Sequence, residues 1–292
     1  MANISDIIKG RADRDQARTE QLRADRENLS HMRDSALEDI TTKPDRYQQY
    51  LTLQADNVRC SVGNVALTMY QLPGATRIGS TDFWHQQGRY VMDTAMNSGA
   101  KVFVPPRDPK RRGYFMGNYY DISQTTGKPI IPPATLEDKS SRMTAALAAL
   151  MDQTPVAIAV DKEIATPAYY NEADFTIYIN PAHTDTEIFK ALATEIAFAR
   201  AHDRGYNKGY RREAYRLDSE SVGYMVCRRF GVACAPPDAK MVRMFYDGYD
   251  PSSRAEALEQ LRGTARSIGD GLDQQLNPRQ QERQNNRRHG SR

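Results

Sequence analysis

The sequence predicts an α+β protein of two domains, preceded by a long charged helix. Residues 5–40 are rich in helix-forming charged residues and contain no proline. Residues 101–123 alternate apolar and polar side chains on either side of a turn, as antiparallel strands do. The second half places apolar residues at helical spacing between short strand-like segments, and 292 residues are enough for two modest domains.

The predicted N-terminal helix has only a thin apolar stripe. Leu22, Leu29 and Leu37 fall near one of its faces. Residues 1–45 carry eight basic and ten acidic groups, so this segment is net acidic. Such a helix is either exposed to solvent or docked on a protein partner, and the sequence leaves both interpretations open.

Two helices and a pair of strands follow in the first half. Pro44 occupies the favoured first position of a helix that runs to residue 57. A second helix covers residues 62–72 and ends where a Pro-Gly pair stops it. The predicted strands cover 101–106 and 113–123, the basic segment between them is 107–112, and a linker follows around Pro132–Pro133.

The second half is predicted to be mostly helical, with two short strands near its start. Thr184 or Asp185 is placed to cap the helix that ends near His202, because short polar side chains bond the free N–H groups of a first helical turn. The predicted helices cover 142–153, 187–202, 211–230 and 253–272, and the strands cover 156–160 and 174–180.

The composition excludes several classes of protein. Hydrophobic residues make up 39% and charged residues 26%, which is typical of a globular protein and excludes wholesale disorder. Apolar runs are far shorter than the ~20 residues of a membrane-spanning helix, so we expect no membrane association. The first residues are charged where a secretory signal would be apolar, and the three cysteines are predicted to be reduced thiols. The sequence therefore predicts a cytoplasmic protein.

The distribution of charge is more informative than its total. The 40 basic and 37 acidic residues give a net charge of +3, which does not by itself indicate a nucleic-acid partner. Residues 277–292 hold five arginines against Glu282. We expect this tail to be disordered and to add salt-sensitive affinity for phosphates.

The predicted helix at 187–202 contains the frame of a zinc peptidase motif without its zinc ligands. In the His-Glu-x-x-His motif the two histidines bind the metal and the glutamate activates its water. Thr194, Glu195 and Phe198 stand at the corresponding positions, and Glu220 on the next helix stands where a third ligand would. We expect no metal, no cofactor and no hydrolysis here.

Two interpretations of the remnant cluster Glu195, His202 and Glu220 stay open. In the favoured one these side chains form a structural polar cluster, with Arg200 or Arg216 as partner. In the other they converge on one metal ion as a rearranged peptidase site. The separation of Glu195 and His202 counts against this second interpretation, because seven residues of helix span ~10 Å.

The chain resembles ArdC-type antirestriction proteins through an ordered series of short motifs, roughly over residues 45–275. The first-half motifs are Ser61–Leu67, Gln71–Thr76, Trp84, Gly88-Arg89, Gly99–Val104 and Tyr120–Gly127. The second-half motifs are Tyr169–Asn171, Asp174–Ile177, Thr194-Glu195 and Glu220–Gly231.

The resemblance implies a function as well as a fold. It implies a small mixed α/β domain that binds single-stranded DNA and a mostly helical, zincin-like domain after it. It also implies a plasmid or other mobile genetic element as the source, and protection of incoming single-stranded DNA during conjugation. Thr194 and Phe198 depart from the family pattern, which implies an inactive pseudo-metallopeptidase. The implied segments are an extension at 1–43, the DNA-binding domain at 44–135, the zincin-like domain at 136–275 and the tail at 276–292.

The predicted hairpin around residues 101–120 has the parts that single-strand binding needs. Positive charge follows the phosphates of a strand, and aromatic faces stack its bases. Strand alternation puts Tyr114 and Phe115 on opposite faces, and leaves open which one is exposed. The candidate nucleic-acid-binding residues, including those of the family motifs, are Asn64, Trp84, Arg89, Lys101, Arg107, Lys110, Arg111, Arg112, Tyr114, Phe115 and Tyr119.

Each candidate also has a purely structural interpretation. The basic segment is alternatively an ordinary solvated turn, Trp84 a core residue and Asn64 a backbone-capping residue. A further basic concentration, which extends a nucleic-acid path or is simply solvated, comprises Arg204, Lys208, Arg211, Arg212, Arg228 and Arg229. A protein-interaction module that uses the N-terminal helix and the inactive cleft is the alternative function.

Overall fold

The computed structural model describes residues 4–106, 108, 110, 112–131 and 135–276, with the side chains of 5–7 left out. The fold is α+β, as predicted, and begins with a long helix. The chain divides into two compact units. Unit 1 comprises Met1–Glu38 and Ala66–Lys128, and unit 2 comprises Asp39–Val65 and Pro129–Arg292.

The first helix, α1, runs over Ile4–Thr42 and confirms the predicted charged helix. Nearly every described side chain before Leu29 is exposed, including Leu22. Within unit 1, the buried Leu29 packs with Leu67 of helix α3, which spans Val62–Gln71, and with Val102. The apolar stripe of the sequence therefore becomes a packing face only from Leu29 onward.

The predicted pair of strands is confirmed as the centre of the unit 1 sheet. Strand β3 covers Ala100–Val104 and pairs antiparallel with β4, which covers Phe115–Asp121. A two-residue strand, β1 at Ile78–Gly79, pairs with the other edge of β4 and gives the order β1-β4-β3. At the free edge of β3, the side-chain amide of Gln71 accepts from the Lys101 N–H (2.9 Å) and donates to the Lys101 carbonyl (2.8 Å).

Three further short elements of unit 1 have no counterpart in the predictions. Helix α4 covers Thr81–Gln86, and strands β2 at Arg89–Val91 and β5 at Thr125–Gly127 form a two-stranded antiparallel sheet. Gly127 has a φ of +129°, and a Cβ there would lie 2.5 Å from the carbonyl oxygen of Gly88. This sheet therefore depends on a residue without a side chain.

In unit 2, helix α2 at Pro44–Asp56 packs against α7 at Arg216–Arg229. Tyr47 Oη and Ser221 Oγ lie 3.0 Å apart, and Arg228 donates two hydrogen bonds to the Asp56 carboxylate. These contacts divide the chain differently from the predicted segments, which placed residues 44–65 with the first domain.

The rest of unit 2 is a small sheet among helices. The elements are α5 (Ser141–Met151), β6 (Ala157–Val160), β7 (Ala168–Asn171), β8 (Thr176–Ile179), α6 (Asp185–His202), α8 (Val242–Phe245) and α9 (Pro251–Leu276). They follow the predicted order, except that β7 and the short α8 have no counterpart in the predictions. The sheet has the order β6-β8-β7, with β6 parallel and β7 antiparallel to β8. Thr184 caps helix α6 in a capping box with Glu187, as its position predicted.

The start of α7 differs from the prediction. The sequence predicts one helix from residue 211, whereas a 3-10 turn at Arg212–Tyr215 comes first and α7 starts at Arg216. The predicted linker at Pro132–Pro133 and the tail at 277–292 lie outside the described residues. Among the helices that are described, none is long and apolar enough to cross a bilayer.

Asp218 is a half-buried residue on α7. Its Oδ1 atom is inaccessible and has no hydrogen-bond partner among the described residues. Burial raises the pKa of Asp218 to about 7. An unfolded chain releases this proton near pH 4, so the folded state retains it until a higher pH and stability falls as pH rises between those two values.

Asp218→Asn is expected to raise the free energy of unfolding by roughly 2 kcal/mol more at pH 8 than at pH 5, because the amide removes the cost of ionisation. Urea denaturation at both pH values measures the difference. Asp247→Asn, at an exposed position of the same unit, is the matched control. An equal effect of Asp218→Asn at the two pH values would contradict the burial of this carboxyl.

Candidate functional site

Glu195 lies in the middle of α6 and is 6% exposed. Its Oε1 accepts a hydrogen bond from Arg212 Nη2 at 2.6 Å, and its Oε2 accepts one from the backbone N–H of Tyr170 at 2.8 Å. Both carboxylate oxygens are therefore engaged. The sequence suggested Arg200 or Arg216 as the partner, and the partner is Arg212 from the 3-10 turn before α7.

The guanidinium of Arg212 also lies over two aromatic rings. Its central carbon is 3.9 Å from the ring centroid of Phe198 and 4.8 Å from that of Tyr169. Burial alone would lower the pKa of Arg212, but the hydrogen bond and charge of Glu195 raise it above its ordinary value. Arg212 is therefore a fixed internal cation, held by one carboxylate and by cation–π contacts.

His202 and Glu220 do not join Glu195 around a common point. His202 Nδ1 lies 2.8 Å from the hydroxyl of Tyr170, and its ring stacks on Tyr210 with centroids 4.4 Å apart. Glu220 forms an ion pair with Arg216 at 3.8 Å, and burial raises the pKa of Glu220. The three members of the predicted remnant cluster thus have separate partners.

Thr194 stands at a close approach of α6 and α7. Its Oγ1 donates to the carbonyl of Lys190 at 3.2 Å. A Cβ on Gly223 of α7 would overlap the Thr194 side chain, so only glycine allows the two helices to meet here. The threonine fills this space and is turned to its own helix backbone.

In unit 1, five candidate residues are exposed, and we call them the hairpin surface. Tyr114 is 60% exposed and Phe115 is 44% exposed, so both neighbouring rings face solvent. Lys110 and Arg112 precede the rings in the chain, whereas Lys101 lies on β3, on the face of the sheet opposite to Phe115. The hairpin surface comprises Lys101, Lys110, Arg112, Tyr114 and Phe115, all of them exposed.

Four other candidate residues are buried or form contacts within the protein. Trp84 is completely buried and donates its indole N–H to the carbonyl of Tyr120 at 3.0 Å, so its ring cannot stack on a base. The guanidinium of Arg89 donates hydrogen bonds to the hydroxyl and carbonyl oxygens of Thr125 and to the carbonyl of Lys128. Tyr119 packs on the core of unit 1. Asn64 is buried on α3, in the part of that helix that belongs to unit 2.

Most residues of the second basic concentration also form contacts within the protein. Arg228 binds Asp56, and Arg229 bridges Asp270 and Asp273 at 2.6 and 2.5 Å. Arg204 donates to the carbonyl of Pro155. Of the predicted phosphate-contacting residues, Arg107 and Arg111 lie outside the described part of the chain.

Sequence reasoning missed one residue beside the hairpin surface. Arg26 of α1 donates from Nη2 to the carbonyl of Tyr114 at 2.6 Å, so the helix holds the start of β4. The two residues are 88 positions apart, and a pairing over that separation leaves no local pattern in a sequence. Tyr90 is a further exposed aromatic residue of unit 1 that was not a candidate.

Comparison with known proteins gives two kinds of similarity. No protein-family model matches the chain. An uncharacterized protein from Bacillus anthracis is 23% identical over 323 residues, which cover 90% of this chain and 54% of that protein. The chain thus spans about half the length of this relative.

Two crystal structures of the antirestriction protein ArdC from plasmid R388 are similar to this chain. The Mn(II)-bound structure has a TM-score of 0.49 at 17% identity and covers 84% of this chain and 97% of its own. The metal-free structure has a TM-score of 0.45 at 17% identity, with 74% and 84% covered. The chain is similar to ArdC.

The residues around Glu195 do not suit a divalent metal. Phe198 has no ligand atom, and Thr194 donates its hydroxyl to a backbone carbonyl. Both oxygens of Glu195 are engaged, one of them by a cation that would repel a second positive charge. Among the described residues, no group of three or more His, Cys, Asp or Glu side chains could hold a metal ion.

Arg212→Ala is expected to lower the free energy of unfolding by about 3 kcal/mol, because it leaves the buried Glu195 charge without its partner. Glu195→Gln in the same chain should restore about half of the loss, since the amide carries no charge. Urea denaturation at neutral pH measures both variants. Arg211→Ala, at the exposed neighbouring position, should change stability by less than about 0.5 kcal/mol. Additive losses in the double variant would contradict the ion pair.

Proposed function

We propose that this chain binds single-stranded DNA without sequence specificity through the hairpin surface of unit 1. The observation that carries the proposal is the exposure of two adjacent rings, Tyr114 and Phe115, next to the basic residues Lys110 and Arg112. Aromatic faces stack bases and basic side chains follow phosphates, whatever the sequence.

The arrangement favours a single strand over a duplex. The faces of bases in a duplex are covered by neighbouring base pairs, so exposed rings gain a stacking partner only from an unpaired base. Each stacked base contributes ~1–3 kcal/mol. The lysine and arginine side chains supply the electrostatic part of the affinity, which weakens as salt rises.

Backbone contacts hold the two aromatic residues of the hairpin surface in place. Strand pairing fixes Phe115 opposite Val104, and Arg26 holds the backbone of Tyr114 from α1. Aromatic residues on a fixed backbone lose little conformational freedom on binding, which favours affinity. Arg26 is therefore a positioning residue for Tyr114.

We further propose that this binding serves an antirestriction role encoded by a mobile genetic element. The ordered motifs by which the sequence resembles ArdC-type antirestriction proteins support this context. The antirestriction role requires DNA binding, so it is excluded if unit 1 does not bind single-stranded DNA.

We propose in addition that unit 2 is an inactive relative of a metallopeptidase. Arg212 supplies the positive charge beside Glu195 and prevents this glutamate from acting as a general base toward a water molecule. The alternative of a rearranged metal site needs Glu195, His202 and Glu220 to be available together, whereas each of them has its own partner.

Fluorescence polarisation with labelled oligonucleotides tests DNA binding. We expect tighter binding to single-stranded than to double-stranded DNA, with affinity falling steeply as salt rises. Tyr114→Ala with Phe115→Ala should weaken single-strand binding by about tenfold or more. Lys110→Ala with Arg112→Ala should reduce the slope of log K against log salt by about 1.4, at ~0.7 per phosphate contact on a single strand.

Tyr206→Ala is the matched control for the aromatic variant, because Tyr206 is 80% exposed and belongs to unit 2. It should leave affinity unchanged. A single-stranded RNA of the same sequence distinguishes the two nucleic acids. Equal binding by the wild type and the hairpin-surface variants would overturn the proposal.

Elemental analysis tests the inactive cleft. After purification without chelator and dialysis against zinc or manganese, the full chain should hold far less than one ion per molecule, because two metal-ligand positions are Thr194 and Phe198. Casein hydrolysis should be at background with or without either ion. One tightly held ion per chain, together with hydrolysis that Glu195→Gln abolishes, would refute the assignment.

A further inference from the structure

Two thiols interact at the end of α7. Cys227 lies in the last turn of the helix and is fully buried, while Cys234 lies in the following loop and is half-buried. The interaction between the two thiols is the largest influence on the pKa of each. The Cys234 thiol also donates to the carbonyl of Ala235 at 3.4 Å.

The helix terminus brings this contact about. The Val232 N–H bonds the carbonyl of Cys227 at 2.9 Å, and the Gly231 N–H bonds that of Arg228 at 3.2 Å. With Gly231 at a φ of +67°, this is the Schellman arrangement, which reverses the chain at a helix end. The reversal turns the chain that carries Cys234 back toward the last turn of α7, which holds Cys227.

The two sulfur atoms differ in acidity. The hydrogen bond from Cys227 and the charge of Lys190 lower the pKa of Cys234 to about 7, against the opposing effect of burial. The hydrogen bond to Cys234, followed by burial, raises the pKa of Cys227. The thiolate is the reactive form, so Cys234 is the nucleophile and Cys227 the buried thiol that remains protonated.

We propose that Cys227 and Cys234 form a peroxide-reactive dithiol that closes to an intramolecular disulfide. The Cys234 thiolate attacks one oxygen of hydrogen peroxide; an S–O bond forms, the O–O bond breaks, and the departing hydroxide takes a proton to become water. The Cys227 sulfur then attacks the Cys234 sulfur and loses its proton. The S–S bond forms as the hydroxyl leaves as a second water, so two thiols and one peroxide give one disulfide and two waters.

The arrangement favours disulfide formation over further oxidation of the Cys234 sulfenic acid. A resolving cysteine beside the attacked one captures the sulfenic acid before a second peroxide reaches it. Cys227 is shielded from solvent, so peroxide reaches the pair from the Cys234 side. This inference concerns unit 2 alone and does not depend on DNA binding.

The full-length reduced protein is treated with hydrogen peroxide at near-stoichiometric amounts, then with catalase, alkylated under denaturing conditions and digested with trypsin. Trypsin cuts after Arg228 and Arg229, so the disulfide appears as two peptides joined through Cys227 and Cys234. We expect at least about tenfold more of this linked species in the wild type than in Cys227→Ser or Cys234→Ser. Cys60→Ser should leave it unchanged.

A sulfenic-acid probe assigns the order of events. Dimedone should label Cys234 in Cys227→Ser and should not label Cys227 in Cys234→Ser. Because Cys227→Ser introduces a hydroxyl at a buried position, Cys227→Ala is measured beside it, with circular dichroism to show that each variant folds. Oxidation of Cys60 before the pair, dimedone on Cys227, or Cys234 sulfinic acid without a linked species would overturn the proposal.

Discussion

The ion pair between the buried Glu195 and the partly buried Arg212 connects three parts of unit 2. The carboxylate comes from α6, the guanidinium from the 3-10 turn before α7, and a third partner, the backbone N–H of Tyr170, from strand β7. A buried charge is tolerated when its lone pairs are satisfied, and here both carboxylate oxygens are. The position of β7 and the approach to α7 therefore depend on one satisfied carboxylate.

The same pair determines the chemistry around Glu195. Both oxygens of Glu195 are engaged, one by Arg212 and one by the Tyr170 N–H. Phe198 provides a surface on which the arginine lies, and Thr194 fills the gap opposite Gly223. The site thus has an internally balanced charge and a closely packed helix contact.

Strong local patterns in the sequence predicted the structure well. The capping box at Thr184, the proline start at Pro44 and the alternation around residues 101–123 each arise from neighbours along the chain, and each is confirmed. Strands β2 and β5 were missed because three residues carry no measurable period. Arg212 was missed as the partner of Glu195 because a 17-residue separation across a turn leaves no local signature.

The hairpin surface also shows what a sequence predicts and what only the fold decides. Composition indicated a basic and aromatic segment, but only the fold separates Tyr114 and Phe115, which face solvent, from Trp84 and Tyr119, which belong to the interior. The residue type alone does not distinguish an exposed aromatic side chain from a buried one. Its role is decided by which backbone carbonyl or apolar neighbour lies within reach, as the indole of Trp84 shows with Tyr120.

The amide of Gln71 has a consequence for how copies of this protein meet. Strand β3 ends the unit 1 sheet, and an open strand edge offers its N–H and C=O groups to any other extended chain. Gln71 occupies both groups of Lys101 with one side chain, as a neighbouring strand would. A second strand could pair at Lys101 only by displacing the amide, so Gln71 protects this position of the edge from edge-to-edge pairing.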